Sequence, residues 1–138
     1  MSEQENINLV KSLYDNFTKG DIQKVIESFS DNGELHQPPE GPPPFSGKYK
    51  GKNQISTFFK NVRDVSSVVS FEGKEYFTKE NAVIVLGHYK FHSKVTHRDW
   101  DTDFVMILRI DNNKISKLQI FKDSAAELKA MEKEFVHA

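Results

Sequence analysis

Two side chains in this sequence combine useful acid–base chemistry with a suggestive position. His36 stands just before a proline-rich stretch, and an imidazole titrates near neutral pH, so it can serve as acid or base. Its structural alternative is a histidine hydrogen-bonded to backbone. Asp123 closes the last strand-like segment and opens a helix-like one, where it could be a carboxylate base at a pocket rim or an N-cap for residues 124–127. The N-cap is the preferred reading. His88 and His92 are four apart, which places them on one face of a helix but about 13 Å apart on a strand, too far to share an ion. With Lys90 they read as a polar stripe facing solvent or an interface. His97, Asp99, Asp101 and Asp103 alternate, yet successive ligands on a straight strand diverge, so a solvated hairpin arm is expected and no metal site. Pro39-Glu-Gly-Pro42 is formally a PxxP ligand, but a stiff loop covering a cavity suits it better.

Composition narrows what such residues can do. A chain of 138 residues suits one domain with a real core. Hydrophobic residues make up 37% and charged ones 28%, a globular balance. Lys and Arg number 19 against 20 Asp and Glu, so the basic surface that a general nucleic-acid binder needs is missing. No apolar run approaches the roughly 20 residues of a membrane span. The polar start Met1-Ser-Glu-Gln-Glu5 is unlike a secretory leader, and a cytoplasmic location is expected. With no cysteine, disulfides, thiolate catalysis and Cys-based zinc sites are excluded. Phe occurs 11 times, enough either to fill a core or to line a pocket.

The elements that must position these groups follow from periodicity. Ile7, Val10, Leu13, Tyr14 and Phe17 recur at helical spacing over residues 4–19, and Gly20 stops that helix. Asp21 caps a second helix carrying Ile22, Val25, Ile26 and Phe29. Residues 30–33 read as a turn and 34–37 as a short strand. All prolines fall between Pro38 and Pro44, a stiff irregular loop that continues to Gly51. Asn53 is a plausible cap for a third helix with Ile55, Phe58, Phe59 and Val62. From about residue 65 the period becomes that of strands: 67–78 with a possible bulge at Gly73, 82–93, 100–110 and 114–122. Lys79-Glu-Asn81 and Asp111-Asn-Asn113 supply turns, and 123–135 a closing helix. Helices followed by a run of strands mean α+β: a cone-shaped, curved antiparallel sheet wrapped around three N-terminal helices.

Four segments carry a family resemblance: Tyr14-Asp-Asn-Phe-Thr-Lys-Gly-Asp-Ile22, Phe29-Ser-Asp-Asn-Gly-Glu-Leu-His-Gln-Pro38, Tyr49-Lys-Gly-Lys-Asn-Gln-Ile-Ser-Thr-Phe-Phe59, and the stretch from Trp100 through Ile115 with Phe121-Lys-Asp123. In order and spacing the chain resembles the SnoaL-like, ketosteroid-isomerase-like branch of the nuclear transport factor 2 superfamily, over essentially its whole length. The resemblance implies a cystatin-like cone and a homodimer through the outer sheet face. It does not imply an activity, because the fold hosts enzymes, carriers and interaction domains. Ketosteroid isomerases pair an Asp base with a Tyr and a protonated Asp. The corresponding positions here carry Gln37 (or His36, with a slip of one), Leu13 beside Tyr14, and Met106. Gln cannot abstract a proton at neutral pH, and Leu and Met cannot stabilise an enolate, which argues against steroid isomerisation. SnoaL-type cyclases use an acid/base group within the cone, for which His36 and Asp123 are the candidates.

Strand alternation then names the lining. If Met106 faces inward, so do Trp100, Thr102, Phe104 and Leu108, with Val83, Val85, Gly87, Tyr89 and Phe91 on the preceding strand. Phe58 and Phe59 from the third helix, Phe45 from the loop, Tyr14 and Gln37 complete a candidate site for a hydrophobic small molecule; core filling is the alternative. Two functions remain open. One is a cofactor-free isomerase, cyclase or hydratase using His36 or Asp123. The other is a non-catalytic domain that binds a small ligand or a protein. The first is preferred because the proline loop resembles an entrance device.

Overall fold

The protein was analysed as a computed structural model, which describes residues 2–132. Its elements are α1 (Glu3–Lys19), α2 (Ile22–Glu27), β1 (Phe29–Gln37), β2 (Gly47–Lys50), α3 (Gly51–Val65), β3 (Ser66–Lys79), β4 (Ala82–Ser93), β5 (Asp99–Asp111), β6 (Lys114–Lys122) and α4 (Ser124–Met131). Ser2 caps α1 by accepting from the Glu5 N–H, and Gly20 ends it in the left-handed conformation at φ 80°. Asp21 caps α2 through the Lys24 N–H. The expected helix over 123–135 is seen as α4; residues 133–135 lie outside the described residues.

The strands form one curved, mixed sheet in the order β2-β1-β6-β5-β4-β3. Every pair is antiparallel except β1 with β6, which corrects the expectation of a wholly antiparallel sheet. A parallel pair needs a long crossover, and the chain between β1 and β6 supplies one. Two further departures lie nearby. The supposed turn at 30–33 belongs to β1, whose register jumps between the Phe29–Ile115 and Glu34–Lys117 pairs. Within the expected loop, Gly47–Lys50 forms a short edge strand on β1. Helix α3 starts at Gly51 instead of being capped by Asn53; its first turn is served by the Gln54 side chain, which accepts from the Lys50 N–H at 2.8 Å.

The remaining pattern follows the alternation. Val83, Val85, Tyr89 and Phe91 of β4 and Trp100, Phe104, Met106 and Leu108 of β5 are all buried on the inner face. Helix α1 packs against β3 and α3 against β1, closing the concave side. Asn112 and Asn113 adopt φ 49° and 61° in the β5–β6 hairpin, and Glu80 adopts 56° in the β3–β4 hairpin. The register of β3 shifts at Gly73, as a bulge there requires. Gly87 is paired opposite it, and a Cβ at Gly87 would run into the Glu72 carbonyl and the Phe104 ring. Among the described residues no helix is long and apolar enough to cross a membrane.

Candidate functional site

The inner face of the sheet and the helices enclose a cavity of about 70 Å³. Its wall is almost wholly apolar. Leu13, Tyr14 and Phe17 come from α1, Phe58, Phe59 and Val62 from α3, and Phe71, Tyr89, Phe91, Met106, Leu118 and Ile120 from the sheet. The proline loop contributes Phe45, whose ring lies edge-on to Trp100 at 5.5 Å and near Phe91 at 6.1 Å. Tyr49 steadies the loop, its hydroxyl reaching the carbonyls of Pro44 at 3.0 Å and Ser46 at 2.7 Å.

Three polar groups interrupt this wall. The Tyr14 hydroxyl donates to the Met106 thioether at 3.2 Å, a weak acceptor. Burial, with Tyr76 nearby, pushes that hydroxyl far above the ordinary phenol range. The Gln37 Oε1 atom is buried with no hydrogen-bond partner among the described residues. The third group is Lys122, which strand alternation turns inward after Leu118 and Ile120. Its Nζ lies 2.7 Å from Glu127 Oε1, the two side chains being 1% and 0% exposed. The ammonium also sits 5.2 Å from the Phe45 ring centre and 5.9 Å from that of Tyr89.

Glu127 is held from behind. Its Oε2 accepts from the Tyr89 hydroxyl at 2.6 Å and from Trp100 Nε1 at 3.3 Å, so among the described residues Oε1 is left to Lys122. Desolvation pulls the Lys122 ammonium below its ordinary 10.5, while Glu127 opposes that shift. Tyr89 is pushed far up, first by burial and then by the adjacent carboxylate. The arrangement offers an apolar chamber with a buried amine on its wall, paired at 2.7 Å with the Glu127 carboxylate behind it.

The residues singled out in the sequence are distributed unevenly around it. Tyr14, Gln37, Phe45, Phe58, Phe59, Tyr89, Phe91 and Met106 lie on the cavity wall. Trp100 and Phe104 are buried but stand behind the wall, Trp100 as a donor to Glu127 and Phe104 stacked on Phe71 at 5.0 Å. His36 is not brought to the cavity: Leu35 and Gln37 point in, so the residue between them points out. There its Nε2 contacts Glu34 Oε1 at 3.1 Å, and that hydrogen bond holds the Glu34 carboxyl below its ordinary range. Asp123 is the N-cap of α4, accepting from the N–H groups of Ala125 and Ala126 at 3.0 and 3.2 Å. Sequence reasoning passed over Lys122 and Glu127. The available signal was the position of Lys122 in the inward stripe of β6.

The outer face holds the other histidines. His88 contacts Asp101 and Asp103 at 2.9 and 2.8 Å, and His92 contacts Asp99 at 2.6 Å. These are cross-strand polar contacts, and the described residues contain no group of three or more His, Asp or Glu arranged to hold a metal ion.

Comparison with known proteins agrees with this architecture. Among curated proteins, none matches the sequence. An NTF2-like protein of unknown function from Burkholderia pseudomallei superposes with TM-score 0.85 at 19% identity, covering 96% of this chain and 100% of the other. A protein provisionally named an isomerase from Bacillus subtilis gives 0.84 at 15% identity, covering 99% and 100%. A hypothetical protein with a ketosteroid isomerase-like fold from Catenulispora acidiphila, in complex with trimethylamine, gives 0.76 at 15% identity, covering 88% and 90%. At these identities the likeness is one of fold. The family model of the SnoaL-like domain matches residues 10–118, and the chain therefore belongs to the SnoaL-like family.

Proposed function

We propose that the protein takes up a small apolar molecule in the inner cavity and acts on it by acid–base chemistry of the isomerase, cyclase or hydratase type. The observation that carries this reading is a buried amine, Lys122, on the wall of an otherwise apolar chamber. Titratable groups shifted by burial next to a cavity are where such chemistry concentrates. Lys122, backed by Glu127 behind the wall, replaces His36 and Asp123 as the acid–base group, because of these four residues only Lys122 lines the chamber. Gln37, Leu13 and Met106 at the steroid-isomerase positions keep that reaction out of the proposal. A volume of about 70 Å³ is roughly half that of an apolar cavity that admits benzene, so the ligand is compact or the Phe and Met side chains shift to admit it. The trimethylamine complex of the Catenulispora protein is in keeping with very small ligands in this fold.

Calorimetric titration with toluene and cyclopentanone tests the reading. Binding to the wild-type protein, and its loss in Leu118→Phe, which fills the chamber, is the expected result. Equal binding to both proteins would place the ligand elsewhere.

A further inference from the structure

Taking the cavity as a small-molecule site, on which this inference rests, we propose that Lys122 is a nucleophilic amine that forms an imine with a compact aldehyde or ketone, with Glu127 carrying the protons. The geometry supplies each requirement. The amine lines the cavity among the Phe45 and Tyr89 rings, away from water. Desolvation favours the neutral amine that attack requires. Glu127 Oε1 sits 2.7 Å away with no other partner among the described residues, while Tyr89 and Trp100 fix its other oxygen. A proton therefore has one short path, between Nζ and Oε1. An ion pair that only fastened α4 to the sheet would have no need of a cavity beside the amine.

The same features select the ligand. Lysine and glutamate together carry no net charge, so the chamber has no surplus cation to hold a carboxylate. The Tyr14 hydroxyl spends its proton on a thioether and gains by turning to a carbonyl oxygen. Apart from the Gln37 amide and the Tyr89 hydroxyl, which is turned to Glu127, the rest of the wall is hydrocarbon. A neutral carbonyl compound with an apolar body fits all three facts.

The step balances within the chain and its substrate. The ammonium passes a proton to Glu127, and the free amine attacks the carbonyl carbon as the C=O π pair moves to oxygen. Glu127 returns its proton to that oxygen and takes one from the nitrogen, leaving a neutral carbinolamine. It then protonates the hydroxyl, which departs as water while the nitrogen lone pair forms the C=N bond. The product is a protonated imine beside a carboxylate. The imine acidifies the neighbouring C–H bonds, which is how a cofactor-free site could shift a double bond or close a ring.

The test uses the full chain, benzaldehyde and sodium cyanoborohydride, with the modified lysine located by peptide mass mapping. Reduction converts the imine to a stable secondary amine. We expect Lys122 to be modified several-fold faster than exposed lysines such as Lys60, since a desolvated, lowered ammonium pKa raises the free-amine fraction. Modification spread over exposed lysines with Lys122 spared would overturn the proposal. Toluene, which has no carbonyl, separates the two claims through the Met106 methyl resonance. If toluene shifts that resonance and Lys122 stays unmodified, the imine is refuted and the pocket stands. If neither compound reaches Met106, both fall. Glu127→Gln removes the proton carrier, so labelling of Lys122 should slow even though loss of the carboxylate raises its free-amine fraction. Undiminished labelling would remove Glu127 from the proton path, and the wild-type map decides the imine even if this variant folds poorly.

Discussion

Lys122 and Glu127 hold each other in place at a cost that substitution exposes. Removing one partner leaves a buried charge without compensation, so Lys122→Met should lower unfolding stability by roughly 3–5 kcal/mol in urea titration. Lys122→Met combined with Glu127→Gln should recover part of that loss, because the buried charge is gone. An unchanged stability in the single variant would contradict the burial described here. The pH dependence has a definite sign. The folded-state pKa of Lys122 lies below 10.5, so between that value and 10.5 the unfolded chain binds more protons and stability rises with pH; Lys122→Met should lack this rise. Tyr14 and Tyr89 are shifted upward from 10.0, so the folded chain keeps protons above pH 10.0 that the unfolded chain loses, and stability falls there. Tyrosinate absorbance should therefore appear for these two residues only together with unfolding. A lysine near the end of a strand ordinarily reads as surface. What reveals this one is its phase, two residues after Ile120 and four after Leu118.

At the scale of elements, α4 and β1 decide which acids and bases can reach the cavity. The Asp123 carboxylate is committed to the first turn of α4, so Asp123→Ala should cost about 0.5–2 kcal/mol of stability as a lost N-cap. It should leave toluene binding intact. His36→Gln, on the far face of β1, should likewise leave binding unaltered. A large loss of affinity in either folded variant would return that residue to the site. The strands from Ala82 to Lys122 were legible because β-branched and aromatic residues alternate there and Asn112-Asn113 marks the hairpin. The short β2 was not legible. Its residues Gly47-Lys-Tyr-Lys50 have no apolar alternation, and its pairing with β1 depends on the chain returning over the proline loop. The parallel β1–β6 pair was hidden for a similar reason: it joins segments nearly eighty residues apart and leaves no local signal.

For the whole molecule, the outer sheet face offers a reading of assembly. Val105 and Phe121 are cross-strand partners and are 36% and 48% exposed, beside the contacts of His88 with Asp101 and Asp103. We propose that this apolar patch with its charged border is the surface through which two copies associate. Light scattering should give a dimer mass for the wild type and a monomer mass for Phe121→Glu. A wild-type mass that stays monomeric across concentration would end that proposal. Because the patch and the cavity lie on opposite faces of one sheet, the monomeric variant should still bind toluene.

The central claim is that the cone holds a ligand-accessible chamber ending at Lys122. Its most direct test is the Met106 methyl resonance during titration with a small apolar molecule. The account predicts a saturable shift of Met106, shared by neighbouring wall residues such as Leu118 and lost in Leu118→Phe. Shifts confined to the outer residues Val105 and Phe121, with Met106 unmoved, would show that the aromatic side chains merely fill the core.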